Sequence, residues 1–312
     1  MRLVIDTDTA SDDAVALLLA AGSAGADMVA VTTVAGNVGL DQCTRNALYT
    51  LELCGATGVP VHPGAARPLV RPHESAAHVH GTDGMGETRL PPAVRSAEAE
   101  RAVDAITRIA GGEFAEATTL VTLGPLTNIA AALLRDPDLL GRFRHVYCMA
   151  GAADYVGNVT ATAEFNVWAD PEAAAVVLAS SDADRVTWVG WDVSRRDAMM
   201  TSADQERLRS AGTPLALFAD AISHVAREWA ERIGGVSDYS LPDPITMAIA
   251  LDPGLVTHAE RVHAEVSLDP GTRGQLVIDR RPGAPAPNLT LVRRADGPGF
   301  KSMLFGVLSG SG

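Results

Sequence analysis

The chain has 312 residues, 47% of them apolar and 20% charged, and carries a net charge of −13. This is enough apolar material for a large core and fits one α/β domain spanning 1–312. The acidic balance supplies no basic stripe to neutralise a phosphate backbone, so it excludes a general nucleic-acid scaffold and favours a small neutral or weakly charged ligand.

A strand is predicted at Leu3 to Ile5 and a helix at Asp13 to Ala21, and between and at the edges of these stand Asp6, Asp8, Asp12 and Asp13. A helix N-terminus offsets one or two carboxylates, but four packed together without counter-charge raise one another's pKa or destabilise the fold. A bound divalent cation resolves the conflict. Oxygen-only donors suit calcium or magnesium, with calcium favoured where backbone carbonyls join the set. No basic segment followed by an apolar signal core precedes this cluster, so a soluble cytoplasmic protein with no membrane partner is expected.

Further along, short β-branched runs alternate with alanine-rich helical stretches: Val29 to Val34 then Leu40 to Leu53, and Thr118 to Leu123 then Leu126 to Leu134. Strands are expected at His145 to Met149 and Arg185 to Val189, with Asp170-Pro171 capping a helix between them. This alternation predicts an open, mainly parallel sheet flanked by helices. Arg261 to Leu268, Gln275 to Asp279 and Leu289 to Arg293 read as additional C-terminal antiparallel strands, and Phe300 to Leu308 as a closing helix. Cys43, Cys54 and Cys148 have neither metal-ligand nor disulfide-framework spacing and are expected to be small buried apolar residues.

The polar blocks fall where an open α/β sheet keeps its chemistry, beyond the carboxyl ends of strands. Asp6 and Asp8 follow the first strand, Gly36-Asn37 the second and Gly124-Pro125-Leu126-Thr127-Asn128 the third. Gly157-Asn158, Glu164-Phe165-Asn166 and Asp170 follow the fourth. Singly, Asn37 and Asn128 could be turn or helix caps, and Asp6 a brace for its loop through backbone N–H groups. Together, these carboxylates and amides suit several hydroxyl groups, as on a sugar.

With these blocks in this order, the chain resembles the inosine-uridine-preferring nucleoside hydrolase family, whose N-terminal signature has the form DTDxGxDDAxAL. Here the signature reads Asp6-Thr7-Asp8-Thr9-Ala10-Ser11-Asp12-Asp13-Ala14-Val15-Ala16-Leu17, with Ala10 replacing a glycine. The resemblance covers essentially the whole chain. It implies a nucleoside hydrolase-like fold, a homodimer or homotetramer, and calcium-dependent hydrolysis of the N-glycosidic bond of ribonucleosides to ribose and free nucleobase. It also implies that Asp8, Asp13, Asp243 and the backbone carbonyl of Leu123 hold the calcium ion. The family often has threonine at that last position, but leucine supplies the same carbonyl. Asp8 then serves as general base, Asp12 meets the 2′-hydroxyl, and Asn37, Asn158, Glu164 and Asn166 position the sugar and water. Without the resemblance, Asp243 reads equally as an N-cap for a helix from Pro244 to Ala250.

The departure with most consequence is Pro242, which stands beside Asp243 where many relatives carry a histidine that protonates the departing base. Proline cannot donate a proton. His80, in Val79-His80-Gly81-Thr82-Asp83-Gly84, resembles a base-side histidine of part of the family, in a glycine-rich setting that permits a mobile loop. His73 and His78 are expected to be exposed loop residues. Core or subunit packing is the expected role of Trp168, Trp188, Trp191 and Trp229, while Tyr239 is a candidate to meet the base.

Two other readings compete. Asp6-x-Asp8 after a strand partly resembles the magnesium-dependent aspartate-nucleophile phosphohydrolases, but Lys301, the only lysine, lies after all the acidic blocks. A calcium-dependent nucleoside- or sugar-binding protein without turnover is the non-catalytic alternative that Pro242 keeps open.

Overall fold

The computed structural model describes residues 1–154 and 156–310. Among the described residues eleven strands are formed: β1 Arg2–Thr7, β2 Asp27–Thr33, β3 Val61–Pro63, β4 Thr118–Thr122, β5 His145–Met149, β6 Val186–Val189, β7 Met199–Met200, β8 Tyr239–Ser240, β9 Val256–Val266, β10 Leu276–Asp279 and β11 Leu289–Ala295. Nine of them make one sheet in the order β10-β9-β11-β6-β5-β4-β1-β2-β3. The expected mainly parallel sheet flanked by helices is therefore present, with β7 and β8 as a separate small ribbon.

Alternation within the strands builds a layer on each face. Leu3 and Ile5 of β1 enter one apolar core with the helices Ser11–Gly22 and Pro242–Leu251, whereas Val4 enters the other with the helices Thr127–Leu133 and Pro171–Ala179. Because successive side chains point to opposite faces, a single strand with no polar break serves both layers.

The C-terminal strands differ from expectation in one respect. β9 runs antiparallel to both β10 and β11, as predicted, but β11 also pairs parallel with β6 and so continues the main sheet. Only β9 runs opposite to the rest of that sheet. The sequence pattern gives strand identity but not which edge receives it, and the parallel edge of β6 was available.

The first helix begins at Ser11, two residues earlier than predicted, because the Asp13 carboxylate reaches back to accept the Ala10 N–H at 2.9 Å and so draws the preceding residues into the turn. Ala10 itself has φ −113° and ψ −158°, extended backbone open to any residue, which is why alanine serves where the family signature has glycine. Asp170 caps the helix Pro171–Ala179 through the Ala173 N–H at 3.0 Å, as its sequence predicts.

Candidate active site

From β1 the chain proceeds outward to β2 and β3 on one side, whereas β4, β5 and β6 lie on the other. Crossovers therefore leave in opposite directions at β1 and β4, and the loops beyond their carboxyl ends part to leave a crevice, the usual ligand position in open α/β sheets. Asp8 follows β1 and Leu123-Gly124 follows β4, so the acidic segment lies at this switch point. A cavity of about 500 Å³ opens above it, and its lining includes Asp12, Asn37, His80, Leu123, Asn158, Glu164, Asn166 and Asp243.

Asp8 is fully buried. Its Oδ2 accepts the Asn37 N–H at 2.6 Å, while its Oδ1 is buried with no hydrogen-bond partner. Gly36 and Gly124 make room for it. A Cβ on Gly124 would lie 2.7 Å from Asp8 Oδ1, and one on Gly36 would collide with Oδ2, so both glycine blocks after strands exist to admit this carboxylate.

Around it, one carboxylate oxygen each from Asp12, Asp13 and Asp243 lies within 4.8 Å of the other two. Asp13 is braced by the Thr7 hydroxyl at 2.5 Å. Burial first, and then the negative charge of Asp13, hold Asp8 well above the usual carboxylate range. Asp243 is raised by the same burial and by Asp13, Asp12, Asp8 and Glu164 in turn. Burial also raises Asp12 and Asp13 to about 6. Among the described residues no cation pairs with Asp8, Asp13 or Asp243, so the set carries negative charge that only protons or an added cation can offset.

Asp6 does not brace its loop through backbone N–H groups. Its Oδ1 instead accepts from the Thr32 hydroxyl at 2.5 Å and from Asn128 Nδ2 at 2.8 Å, and burial lifts its pKa to about 7. Asn128 further binds the Thr33 carbonyl and the Ala65 N–H, so it ties β1 to β2 rather than facing the cavity. Asp243 is likewise no N-cap: the helix begins at Pro242, and Asp243 lies inside its first turn with Leu241 at the cap. Pro242 occupies the first helical position, where a missing N–H costs nothing.

On the far wall, Glu164 caps the short helix Phe165–Ala169, accepting from the backbone N–H groups of Asn166, Val167 and Gly151. Burial nevertheless raises it to about 7. Asn166 donates through Nδ2 to the Leu123 carbonyl at 2.6 Å and the Met149 carbonyl at 3.1 Å, leaving the carbonyl of Leu123 one lone pair for another partner. Asn158 contributes a buried Oδ1 with no partner, as does Asp12.

His80 ends a short helix, Ala77–His80, with Nδ1 2.8 Å from Ser11 Oγ and 3.6 Å from Asp12 Oδ1. Burial lowers its pKa to about 4. Several neighbours depart from expectation. His73 binds the Gly36 carbonyl at 2.7 Å, and His78, though exposed, lines the cavity edge-on to Trp229 at 6.4 Å between ring centroids. Trp191 and Trp229 line the cavity too, whereas Trp188 is core and Trp168 packs under Arg273. Tyr239 faces the cavity, but its phenol is engaged with Ser223 and Arg227. Cys43 and Cys148 are buried free thiols and Cys54 is half-buried.

Asn46 escaped the sequence reading. Its Nδ2 binds both the Thr9 carbonyl and the Asp83 carbonyl at 2.9 Å, joining the acidic segment to the loop after His80. A polar residue on the buried stripe of the helix Leu40–Leu53, level with Cys43 and Thr50, was the available signal.

Residues 3–302 match the family described as inosine-uridine preferring nucleoside hydrolase. The chain belongs to that family. Over 286 residues it is 36% identical to the inosine-uridine preferring nucleoside hydrolase of Leishmania major, covering 90% of this chain and 88% of that one. It is 36% identical over 311 residues to the pyrimidine-specific ribonucleoside hydrolase RihA of Enterobacter sp. (strain 638), covering 97% and 96%. Among solved structures, a plant nucleoside hydrolase superposes with a TM-score of 0.93 at 30% identity, over 99% of this chain and 98% of that one. The purine-preferring ribonucleoside hydrolase from Gardnerella vaginalis gives 0.92 at 30% identity, over the same shares. The nucleoside hydrolase fold and a ribonucleoside hydrolase activity follow for this chain.

Proposed function

We propose that the protein hydrolyses the N-glycosidic bond of ribonucleosides with the help of calcium. The observation that carries the reading is the buried acidic set at the crevice floor, where Asp13 and Asp243 converge with Asp12, and Asp8 beside them keeps an unpartnered oxygen. These hard oxygen donors and the Leu123 carbonyl fit calcium, and they are the groups that would hold it. Asp12, which shares that cluster, is assigned to the 2′-hydroxyl. When bound, the ion supplies the counter-charge the carboxylates lack and raises the acidity of a neighbouring water.

The residues then divide the work. Asp8 takes the proton of the attacking water, as a carboxylate at the crevice floor with one oxygen free of any protein partner. Water oxygen bonds to C1′ as the bond from C1′ to the base nitrogen breaks, with positive charge spread over C1′ and the ring oxygen. Glu164 places negative charge beside it, and Asn37, Asn158 and Asn166 orient the sugar and water. His80 is held neutral by burial, so its contribution to departure is a hydrogen bond from a ring N–H to the base, which takes its proton from solvent. The same reading assigns the protein to nucleoside salvage in the cytoplasm as a homodimer or homotetramer. No helix among the described residues is long and apolar enough to cross a membrane.

The deciding experiment is a product assay across inosine, adenosine, guanosine, uridine and cytidine in calcium, with ribose and free base both measured. The relatives' names span purine and pyrimidine preference, so the panel also fixes base choice. Deoxyribonucleosides should react poorly, because they lack the hydroxyl assigned to Asp12. Tight binding without base release would establish the binding protein instead. Phosphate release with magnesium would establish a phosphohydrolase, an outcome opposed by Lys301, which is paired with Asp204 at 2.5 Å.

A further inference from the structure

His80 is carried by a segment whose backbone is fixed from several sides. The His80 carbonyl accepts the Gly86 N–H at 2.8 Å, and Asn46 holds the Asp83 carbonyl at 2.9 Å. The Asp83 carboxylate in turn accepts from the backbone N–H groups of Met85, Glu87 and Arg89, which stabilises Glu87 and Arg89 at φ 58° and 51°, a region side chains rarely adopt. A loop strained in this way and tied to the acidic segment by one asparagine is not free to drift. What remains undetermined by the backbone is the rotation of the imidazole ring and which of its nitrogens carries the proton.

One side chain reaches the ring at hydrogen-bond distance. Ser11 Oγ lies 2.8 Å from His80 Nδ1, whereas Asp12 Oδ1, at 3.6 Å, is beyond hydrogen-bond range of the same atom. Among the described residues Ser11 Oγ has no second partner, and nothing hydrogen-bonds His80 Nε2. Ser11 is almost fully buried in the first turn of its helix, so its hydroxyl is held in place as firmly as the loop opposite. It falls at an unspecified position of the family signature, between Ala10 and Asp12, so the signature does not dictate it.

We propose that Ser11 is a positioning residue for His80: its hydroxyl donates to Nδ1, orients the ring, and leaves the proton on Nε2, the nitrogen with no protein partner. The inference rests on the reading of His80 as a base-side donor. In a neutral imidazole a donor at one nitrogen leaves the proton on the other, so a serine that does not meet the base, by donating to Nδ1, makes His80 offer the base a donor rather than a lone pair.

The test compares Ser11→Ala, Ser11→Thr and His80→Ala on the best nucleoside of the panel and on p-nitrophenyl β-D-ribofuranoside, whose leaving group needs no help. Calcium content and 15N imidazole shifts are measured on each folded protein. Ser11→Ala should lower kcat on the nucleoside about tenfold, the size expected for one lost orienting hydrogen bond, with KM nearly unchanged and the nitrophenyl substrate spared. Its His80 shifts should move from the Nε2–H form toward a tautomer mixture, and Ser11→Thr should restore both rate and shifts. Equal losses on both substrates, loss of calcium from Ser11→Ala, or unchanged shifts would overturn the proposal. If His80→Ala loses activity while Ser11→Ala does not, the positioning role falls and the reading of His80 stands. If His80→Ala costs nothing on the nucleoside, that reading falls and this inference with it.

Discussion

The two ends of the cavity are built on different principles. At the floor, Asp8, Asp13 and Asp243 hang from one strand end and two helix starts, all almost fully buried, and hydrogen bonds from Asn37, Thr7 and Ala10 fix Asp8 and Asp13. At the mouth, His78 and Trp229 meet edge-on, and Ile233 and Val236 are 67% and 56% exposed. The floor is polar and over-determined, with geometry set before any ligand arrives. The mouth is apolar and sits on helix ends, where a ligand's flat face finds surface rather than directed donors. A sugar read by many hydroxyls and a base read by shape call for this division.

The contrast is tested most severely at Asp8. Asp8→Asn keeps the volume and the hydrogen bond from Asn37 but removes the base, and turnover should fall by roughly 100-fold or more with the fold retained. Circular dichroism and elemental analysis separate loss of chemistry from loss of structure or calcium. Near-normal turnover in calcium-loaded Asp8→Asn protein would end the general-base assignment.

Second in size is the scaffold beneath the floor. Asn128→Ala removes a side chain that serves Asp6, the Thr33 carbonyl and the Ala65 N–H together. Leaving those buried groups unpaired should destabilise the protein by about 2–3 kcal/mol, measured by urea unfolding. A loss under about 0.5 kcal/mol would show that water replaces the amide and that the floor is less rigid than its hydrogen bonds indicate.

How much of this was legible follows from the same division. Strand ends are local in the chain: the run Leu3-Val4-Ile5, the aspartates after it and the glycine-asparagine blocks after later strands announce the floor without tertiary knowledge. The mouth is assembled from the helices Trp191–Asp197 and His224–Gly234, a region where no predicted element was placed, and from His78, far away in sequence. Trp229 among apolar neighbours reads as core, because periodicity reports that a face is covered and not whether protein or ligand covers it. Asp12 is a case between the two: its charge was evident, but its simultaneous closeness to His80 and to Asp13 and Asp243 depends on loop geometry.

The floor's charge makes a third prediction, about pH. In the metal-free protein Asp6 and Glu164 titrate at about 7 and Asp12 and Asp13 at about 6, against ordinary values near 4 in the unfolded chain. The folded state therefore binds protons more tightly at these groups, and their contribution to stability is greatest below about pH 4 and is lost as pH rises through about 7. Thermal unfolding in a calcium chelator should show the melting temperature falling from pH 5 to pH 8. Excess calcium should abolish most of that fall, since a ligand at about 100 times its Kd adds about 2.7 kcal/mol to the folded state. Parallel curves with and without calcium would mean that the carboxylates are neutralised by protons alone.

The smallest effect is expected at the mouth, and its smallness is the point. Trp229 lines the cavity and packs edge-on with His78, an arrangement worth about 0.5–1.5 kcal/mol beyond burial. If it meets the base by stacking alone, Trp229→Ala weakens substrate and transition state alike, so KM should rise about two- to tenfold with kcat held within about twofold. Trp229→Phe, which keeps a ring, should recover most of the loss. Because this part of the mouth carries few directed bonds, the ratio of kcat/KM between purine and pyrimidine nucleosides should shift more than either sugar specificity or calcium affinity. A fall in kcat comparable to that of Asp8→Asn would break the division between floor and mouth, because it would place the tryptophan among the groups that act only in the transition state.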